Sequence, residues 1–182
     1  MTLASPGEPL PPLVADAMVI HHFAKADRLD VLGASLSRLS TTHIVAREVD
    51  KYCNDYPSLR SITDLEWLSI LPQDTDEELV VFERWVNLLG AGEHDLGEAS
   101  VFTAAEIYEL VAITDDRDAT KVGRKNGLNI HGTVWLLTRL HRLDKMTLAE
   151  ICTHVDALRA TGMRLPCTGS ELPRWARQRG LL

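Results

Sequence analysis

Apolar residues in this chain fall in short runs that alternate with longer stretches of helical spacing. The run at 12–15 is apolar and meets an acid, Asp16. MVIHHFAKADRLDVLGASL (18–36) then repeats apolar residues every three or four positions, with Asp27 as a cap between two short helices. STTHIVA (40–46) is rich in β-branched residues and predicts a strand, leading into a helix at REVDKYCNDY with Glu48 in its first turn. LEWLSILPQ (65–73) predicts another strand, stopped by Pro72. DTDEELVVFERWVNLLGAG follows as an amphipathic helix. Asp74 or Thr75 caps it, Leu79, Phe82, Val86 and Leu89 form its stripe, and Gly90 ends it.

The second half continues the alternation. DLGEASVFTAAEIYE (95–109) predicts a helix with small residues on one side, and LVAIT (110–114) a strand. DRDATKVGRKNG predicts a helix closed by Gly127, LNIHG (128–132) a short strand, and TVWLLTRLHRLDKM a helix capped by Thr133. TLAEICTHVDALRATG, ended by Gly162, and SELPRWARQRG (170–180) are helical. Strands alternating with helices specify an α/β fold around a mainly parallel sheet. The division expected is a flexible leader over 1–11, one α/β domain over 12–146, and a helical extension over 147–182 packed on that domain.

Composition narrows the class. The 182 residues are 45% hydrophobic and 25% charged, which suits a single globular domain. No apolar run approaches the roughly 18 residues that a membrane helix needs, and residues 1–11 lack the pattern of a secretory signal. Cys53, Cys152 and Cys167 are sparse and carry no CxxC spacing, so neither a disulfide framework nor a thiolate zinc site is expected. A cytoplasmic protein fits these features. The net charge of −7 is unevenly spread. Residues 1–116 hold 7 of the 19 Lys and Arg and 21 of the 26 Asp and Glu, whereas 117–182 hold the remaining 12 and 5. An acidic focus and a separate basic surface are implied.

In a parallel α/β sheet, ligands gather at the carboxyl ends of the strands. Asp16 ends the first strand, Glu48 follows the second, and Asp115 and Asp116 follow LVAIT. Glu98 opens the helix before that strand, with Asp95 three residues earlier. Each has an ordinary explanation as a cap or a solvated helix residue. Their joint order in one α/β chain raises a second one. Converging carboxylates repel and resist ionisation unless a cation neutralises them, and a hard divalent ion such as Mg²⁺ or Mn²⁺ takes carboxylate and water oxygens.

The stretches LVADAMVIHHFAKADRLDVL, IVAREVDKY, GAGEHDLGEASVFTAAE and LVAITDDRDATKVGRKNGLNIHGTVWLL, with the tail LRATGMRLPCTGSEL, resemble PIN-domain proteins over most of residues 12–175. The most specific parts are the Gly-Glu before a small-residue helix, the Asp-Asp-Arg after a strand, and the G-T-V-x-L-L that follows. The nearest subgroup is one described as nucleic-acid-binding, related to toxin nucleases of toxin–antitoxin pairs. The resemblance implies a PIN-like three-layer α/β sandwich and a metal-dependent endoribonuclease using Mg²⁺ or Mn²⁺. It puts the family's acids on Asp16, Glu48 and Glu98. The last acid falls on Asp116 if Thr114-x-Asp is the matching triplet, or on Asp115 if the first acid after the strand is used. Asp16, Glu98, Asp115 and Asp116 would be the metal ligands, and Thr114 would reach a bound water or phosphate. The family pattern often has a small hydroxyl or Asn where this chain has Ala17.

The resemblance also implies RNA as substrate, an antitoxin protein as partner and a homodimer. Two other readings compete: a PIN-like module that binds RNA or protein without cutting, and a phosphatase. Ala17 and Met18 in place of an Asp-x-Asp after the first strand, with no Gly-rich phosphate loop, argue against the phosphatase. Arg174 and Arg177 in RWARQR, around Trp175, are candidates for RNA phosphates. His21, His22 and His131 read first as packed or hydrogen-bonded histidines, with metal or substrate contact as the sharper alternative.

Overall fold

The computed structural model describes residues 11–35, 39–56, 59, 61–90 and 96–182. Asp95 and the leader up to residue 10 lie outside them. Five short strands form one sheet: β1 (Leu13–Ala15), β2 (Leu39–Thr42), β3 (Leu68–Leu71), β4 (Val111–Ile113) and β5 (Ile130–His131). Their order is β3-β2-β1-β4-β5, and every pairing is parallel. Among the described residues the sheet is parallel throughout, as the α/β alternation leads one to expect. The helices that flank it are α1 (Ala17–Lys25), α2 (Leu29–Ser35), α3 (His43–Asp50), α4 (Asp76–Leu89), α5 (Leu96–Ile107), α6 (Arg117–Lys125), α7 (Thr133–Arg142), α8 (Leu148–Ala160) and α9 (Leu172–Arg177).

The two central strands β1 and β4 are apolar throughout because they are covered on both faces. Leu13, Val14, Ala15, Val111, Ala112 and Ile113 are all buried. The chain leaves β1 toward β2 on one side and reaches β4 on the other, so the strand order reverses at the β1–β4 seam. In open parallel sheets that reversal opens a crevice at the carboxyl ends of the two strands. Here Ala15 pairs with Ile113, and the Asp16 amide donates to the Ile113 carbonyl at 3.0 Å. Asp16 and Thr114 therefore face each other across the seam.

Helix α5 is buried nearly all round, from Ala99 through Ala105, which explains its run of small residues better than a one-sided stripe does. Helix α4 is capped by Thr75 in a capping box with Glu78, and Gly90 ends it at φ 64°. Its buried positions are Glu78 and Trp85, whereas Leu79 is 54% exposed and leaves the expected stripe. The cause is polar. The Glu78 carboxylate accepts from Thr75 N and Oγ1 and from the Tyr108 hydroxyl, which turns that side of the helix inward.

Three other local expectations change. Residues 43–46 are helical and not strand, because Thr42 already caps α3, which leaves Glu48 beyond the first turn; Asp27 lies between α1 and α2 with a left-handed φ of 55°. Helix α7 begins after Gly132 without a side-chain cap of its own, since the Thr133 amide is taken by Asp115 from the neighbouring strand end. It also stops at Arg142, where Asp144 takes φ 55°.

The C-terminal helices share the core. Ile151, Val155 and Leu158 of α8 are fully buried within the same cluster as the sheet, and Leu172 and Ala176 of α9 join them. His22 on α1 bonds the Thr161 hydroxyl just beyond α8 at 2.7 Å. Burial of a Leu of this kind is typically worth about 2–5 kcal/mol on truncation to Ala. We therefore expect Leu158→Ala to lower the melting temperature of the whole protein in one cooperative transition, seen by circular dichroism and calorimetry together. An early, separate transition for the C-terminal helices would contradict the shared core.

Candidate active site

Asp16 is the residue around which the carboxyl edge is arranged. Its Oδ1 accepts from the Ala17 amide at 2.7 Å, so it caps α1, and its Oδ2 accepts from the Thr114 hydroxyl at 3.2 Å. Thr114 Oγ1 in turn accepts from the Asp116 amide at 3.2 Å. One threonine thus fixes both sides of the seam. On the other flank, the Thr41 hydroxyl donates to the Ala15 carbonyl at 2.9 Å, tying β2 to the residue before the acid.

Glu48 is brought in by α3, and α3 is fixed by a short hydroxyl relay. Thr42 Oγ1 accepts from the Val45 amide and meets Ser100 Oγ at 2.6 Å, and the Ser100 hydroxyl donates to the Gly97 carbonyl at 2.7 Å. Proton counting sets the direction: Ser100 gives its hydrogen to Gly97, so Thr42 gives its own to Ser100. The relay locks the start of α3 to the first turn of α5. There Gly97 leaves room for the acids. A Cβ on it would stand 2.9 Å from Glu48 Oε2 and 3.9 Å from Asp16 Oδ1. Glu98 follows, half-buried in the same first turn.

The two aspartates after β4 divide. Asp115 accepts from the Thr133 amide through both carboxylate oxygens at 3.1 Å. A Cβ on Gly132 would stand 2.5 Å from its Oδ1 and would push the carboxylate out of this position. Asp116 is exposed and caps α6, accepting from the Ala119 amide at 2.7 Å.

The electrostatics follow from burial. Asp16 is 3% exposed, and desolvation pushes its pKa up to about 6, with the charges of Glu48 and Asp115 adding to the rise. Desolvation also raises Asp115, against its hydrogen bonds to Thr133. Buried like charges with only oxygen donors are the chemistry of a hard divalent cation. Among the described residues no three carboxylate, imidazole or thiol groups stand together as a ready cage. That does not conflict with Mg²⁺, which commonly takes one or two carboxylates and completes its shell with water and phosphate. Asp16 and Glu48, flanking Gly97, fit that donor set.

The remaining candidates lie elsewhere. His131 stacks on Trp135 at 3.9 Å and 6°, and burial lowers its pKa to about 4, so it is an uncharged packing residue at neutral pH. His22 is buried and likewise lowered to about 4 by burial. Arg174 and Arg177 are exposed on α9, which rests on α8, and the Arg179 guanidinium covers the Trp175 ring at 4.3 Å. Gly97, Gly132 and Thr133 belong to the Gly-Glu and Gly-Thr-Val motifs of the sequence, but nothing in their spacing shows which carboxylates they accommodate.

Comparison with known proteins agrees with this geometry. A family model described as PIN domain matches residues 12–170. A crystal structure of PAE2754 from Pyrobaculum aerophilum shares the fold with a TM-score of 0.51 and 18% identity, covering 71% of this chain and 95% of that one. No curated protein matches the chain.

The raised pKa of Asp16 has a testable sign. A carboxyl whose folded pKa exceeds its unfolded value of 3.8 destabilises the fold as pH rises through the interval up to about 6, and the loss persists above it. The cost is on the order of 3 kcal/mol as an upper figure. Asp16→Asn keeps the acceptor for the Ala17 amide and removes the charge. It is expected to melt higher than the parent at pH 8 in EDTA and to match it near pH 4. Mn²⁺ should raise the melting temperature of the parent and leave the variant unmoved. Equal melting of the two proteins at pH 8 would contradict the electrostatic account.

Proposed function

The chain belongs to the PIN-domain family, whose members are generally nucleases using divalent metals, and on that premise we propose that it is a Mg²⁺- or Mn²⁺-dependent endoribonuclease. The observation that carries this reading is the buried Asp16 carboxylate at the strand-reversal seam, with Glu48 and Asp115 as the charges acting on it. Asp16 and Glu48 would hold the cation, with Glu98 beside them. Asp115 takes the place of the last acid in this reading, because its charge acts on Asp16, whereas Asp116 is exposed at the start of α6. A bound divalent ion lowers the pKa of water and stabilises the leaving oxygen of a phosphodiester.

The chain's own residues prepare for that chemistry. Thr114 holds the Asp16 carboxylate in one rotamer, and the Thr133 amide does the same for Asp115. Preset ligands of this kind avoid reorganisation when charge develops on the substrate. The Arg174 and Arg177 guanidiniums on α9 would meet RNA phosphates away from the cleavage point. Their loss should weaken binding in a salt-dependent way without abolishing cutting. Our reading extends to the toxin half of a toxin–antitoxin pair, with a partner protein that covers the acidic edge.

The decisive test is cleavage of a mixed RNA pool with Mn²⁺, with Mg²⁺ and with EDTA, beside Asp16→Asn and Glu48→Gln. Metal-dependent cutting that falls at least 100-fold in both variants is expected. Folded protein that cuts nothing in either metal would leave a binding module instead. For the toxin role, induced expression should arrest growth, and Asp16→Asn should relieve the arrest.

A further inference from the structure

Beside Glu48 the surface opens into a pocket of about 300 Å³ that the acidic chemistry does not use. Tyr52, Tyr56, His21, Met18 and Val49 form its wall, and Glu48 stands at its edge. Tyr52 and Met18 are each 49% exposed, a large apolar area to leave in water. The rings are arranged as a corner. His21 meets Tyr52 edge-on at 5.8 Å and Tyr56 edge-on at 5.3 Å, with interplanar angles of 78° and 74°. His21 Nδ1 pairs with the Tyr56 hydroxyl. Tyr56 keeps its proton, its pKa pushed up to about 12 chiefly by burial. The hydroxyl and the neutral imidazole share this hydrogen bond in either tautomer, so the pair carries no charge. Burial, aided by Lys25, holds His21 below its ordinary pKa, so the wall is uncharged at neutral pH.

We propose that this pocket is a subsite for one unpaired nucleobase of the RNA, next to the phosphate held at the acidic edge. The inference rests on the nuclease reading for its substrate and on its own geometry for the subsite. A nucleobase is a flat ring with a π-face and polar edges. The corner offers a tyrosine face to stack on, a perpendicular ring to stop it, and neutral donors for its edge. The pocket shares Glu48 with the acidic edge, so a base seated here belongs to a nucleotide adjoining the cleavage point. A bare phosphate has no favourable contact on an uncharged wall bounded by a carboxylate.

The test uses a short single-stranded oligoribonucleotide carrying one 2-aminopurine, titrated with the full chain in EDTA so that nothing is cut. Stacking should quench the fluorophore. Tyr52→Ala should lose the quench and weaken binding roughly 5- to 100-fold, while Tyr52→Phe retains both. Melting curves of both variants should match the parent. In the cleavage assay, Tyr52→Ala should raise KM more than it lowers kcat. Cutting that is normal in Tyr52→Ala, with the quench unchanged, would overturn the subsite and leave the nuclease standing. Tyr52-dependent quenching in a protein that never cuts would keep the subsite and sink the nuclease. A change of oligomeric state in Tyr52→Ala on gel filtration, with RNA binding intact, would mean that a second chain covers the pocket, and the proposal would fall.

Discussion

The Asp16 carboxylate has to be buried, and the rest of the carboxyl edge is arranged to make that tolerable. A bare carboxylate in this position carries a desolvation cost of several kcal/mol. One oxygen is satisfied by the first amide of its own helix and the other by Thr114 from across the seam. Gly97 then lets the Glu48 carboxylate approach to where a Cβ would displace it, and Gly132 does the same for Asp115. The chain concentrates negative charge instead of dispersing it. A structure serving only its own stability would have placed an amide or a hydroxyl at this seam.

Much of the fold could be read from the alternation of apolar runs and helical spacing. β4 and β1 are three-residue strands, yet their complete burial leaves an unbroken apolar signature that stands out from the helices around them. Helix stops were equally plain, because Gly90, Gly127 and Gly162 all take the positive φ that favours glycine. What could not be read was the facing of adjacent residues. Asp115 is held by an amide 18 residues later, at Thr133, whereas Asp116 caps its own helix. Glu78 turns inward because Tyr108, 30 residues away, supplies a donor. The aromatic pocket left no periodic trace, since Tyr52 and Tyr56 flank a short 3-10 turn whose geometry no spacing rule describes.

The charge division along the chain acquires a physical meaning in the fold. The acidic part supplies four strands and most of the carboxyl edge, while most of the basic residues ride on α6 and the elements after it. Helix α8 is no loose appendage, because three of its side chains are fully buried in the common core. The positive surface is therefore held rigidly with respect to the acids. On the proposed reading, opposite potentials fixed on one small body would orient a polyanionic substrate, with the basic helices attracting its backbone at a distance from the acids.

The strand order has a consequence for how the molecule is made. β1 is the middle strand, and its partner on the acidic side, β4, arrives only after nearly a hundred further residues have been synthesised. The bond from Thr114 to Asp16 closes a loop of 98 residues. Contacts of such separation form late and slow the folding of parallel sheets. Until β4 docks, Asp16 remains solvated, its carboxyl ordinary and its neighbours dispersed. A nascent or partly folded chain therefore carries no assembled acidic centre, and whatever chemistry the centre performs is withheld until the β1–β4 seam is shut.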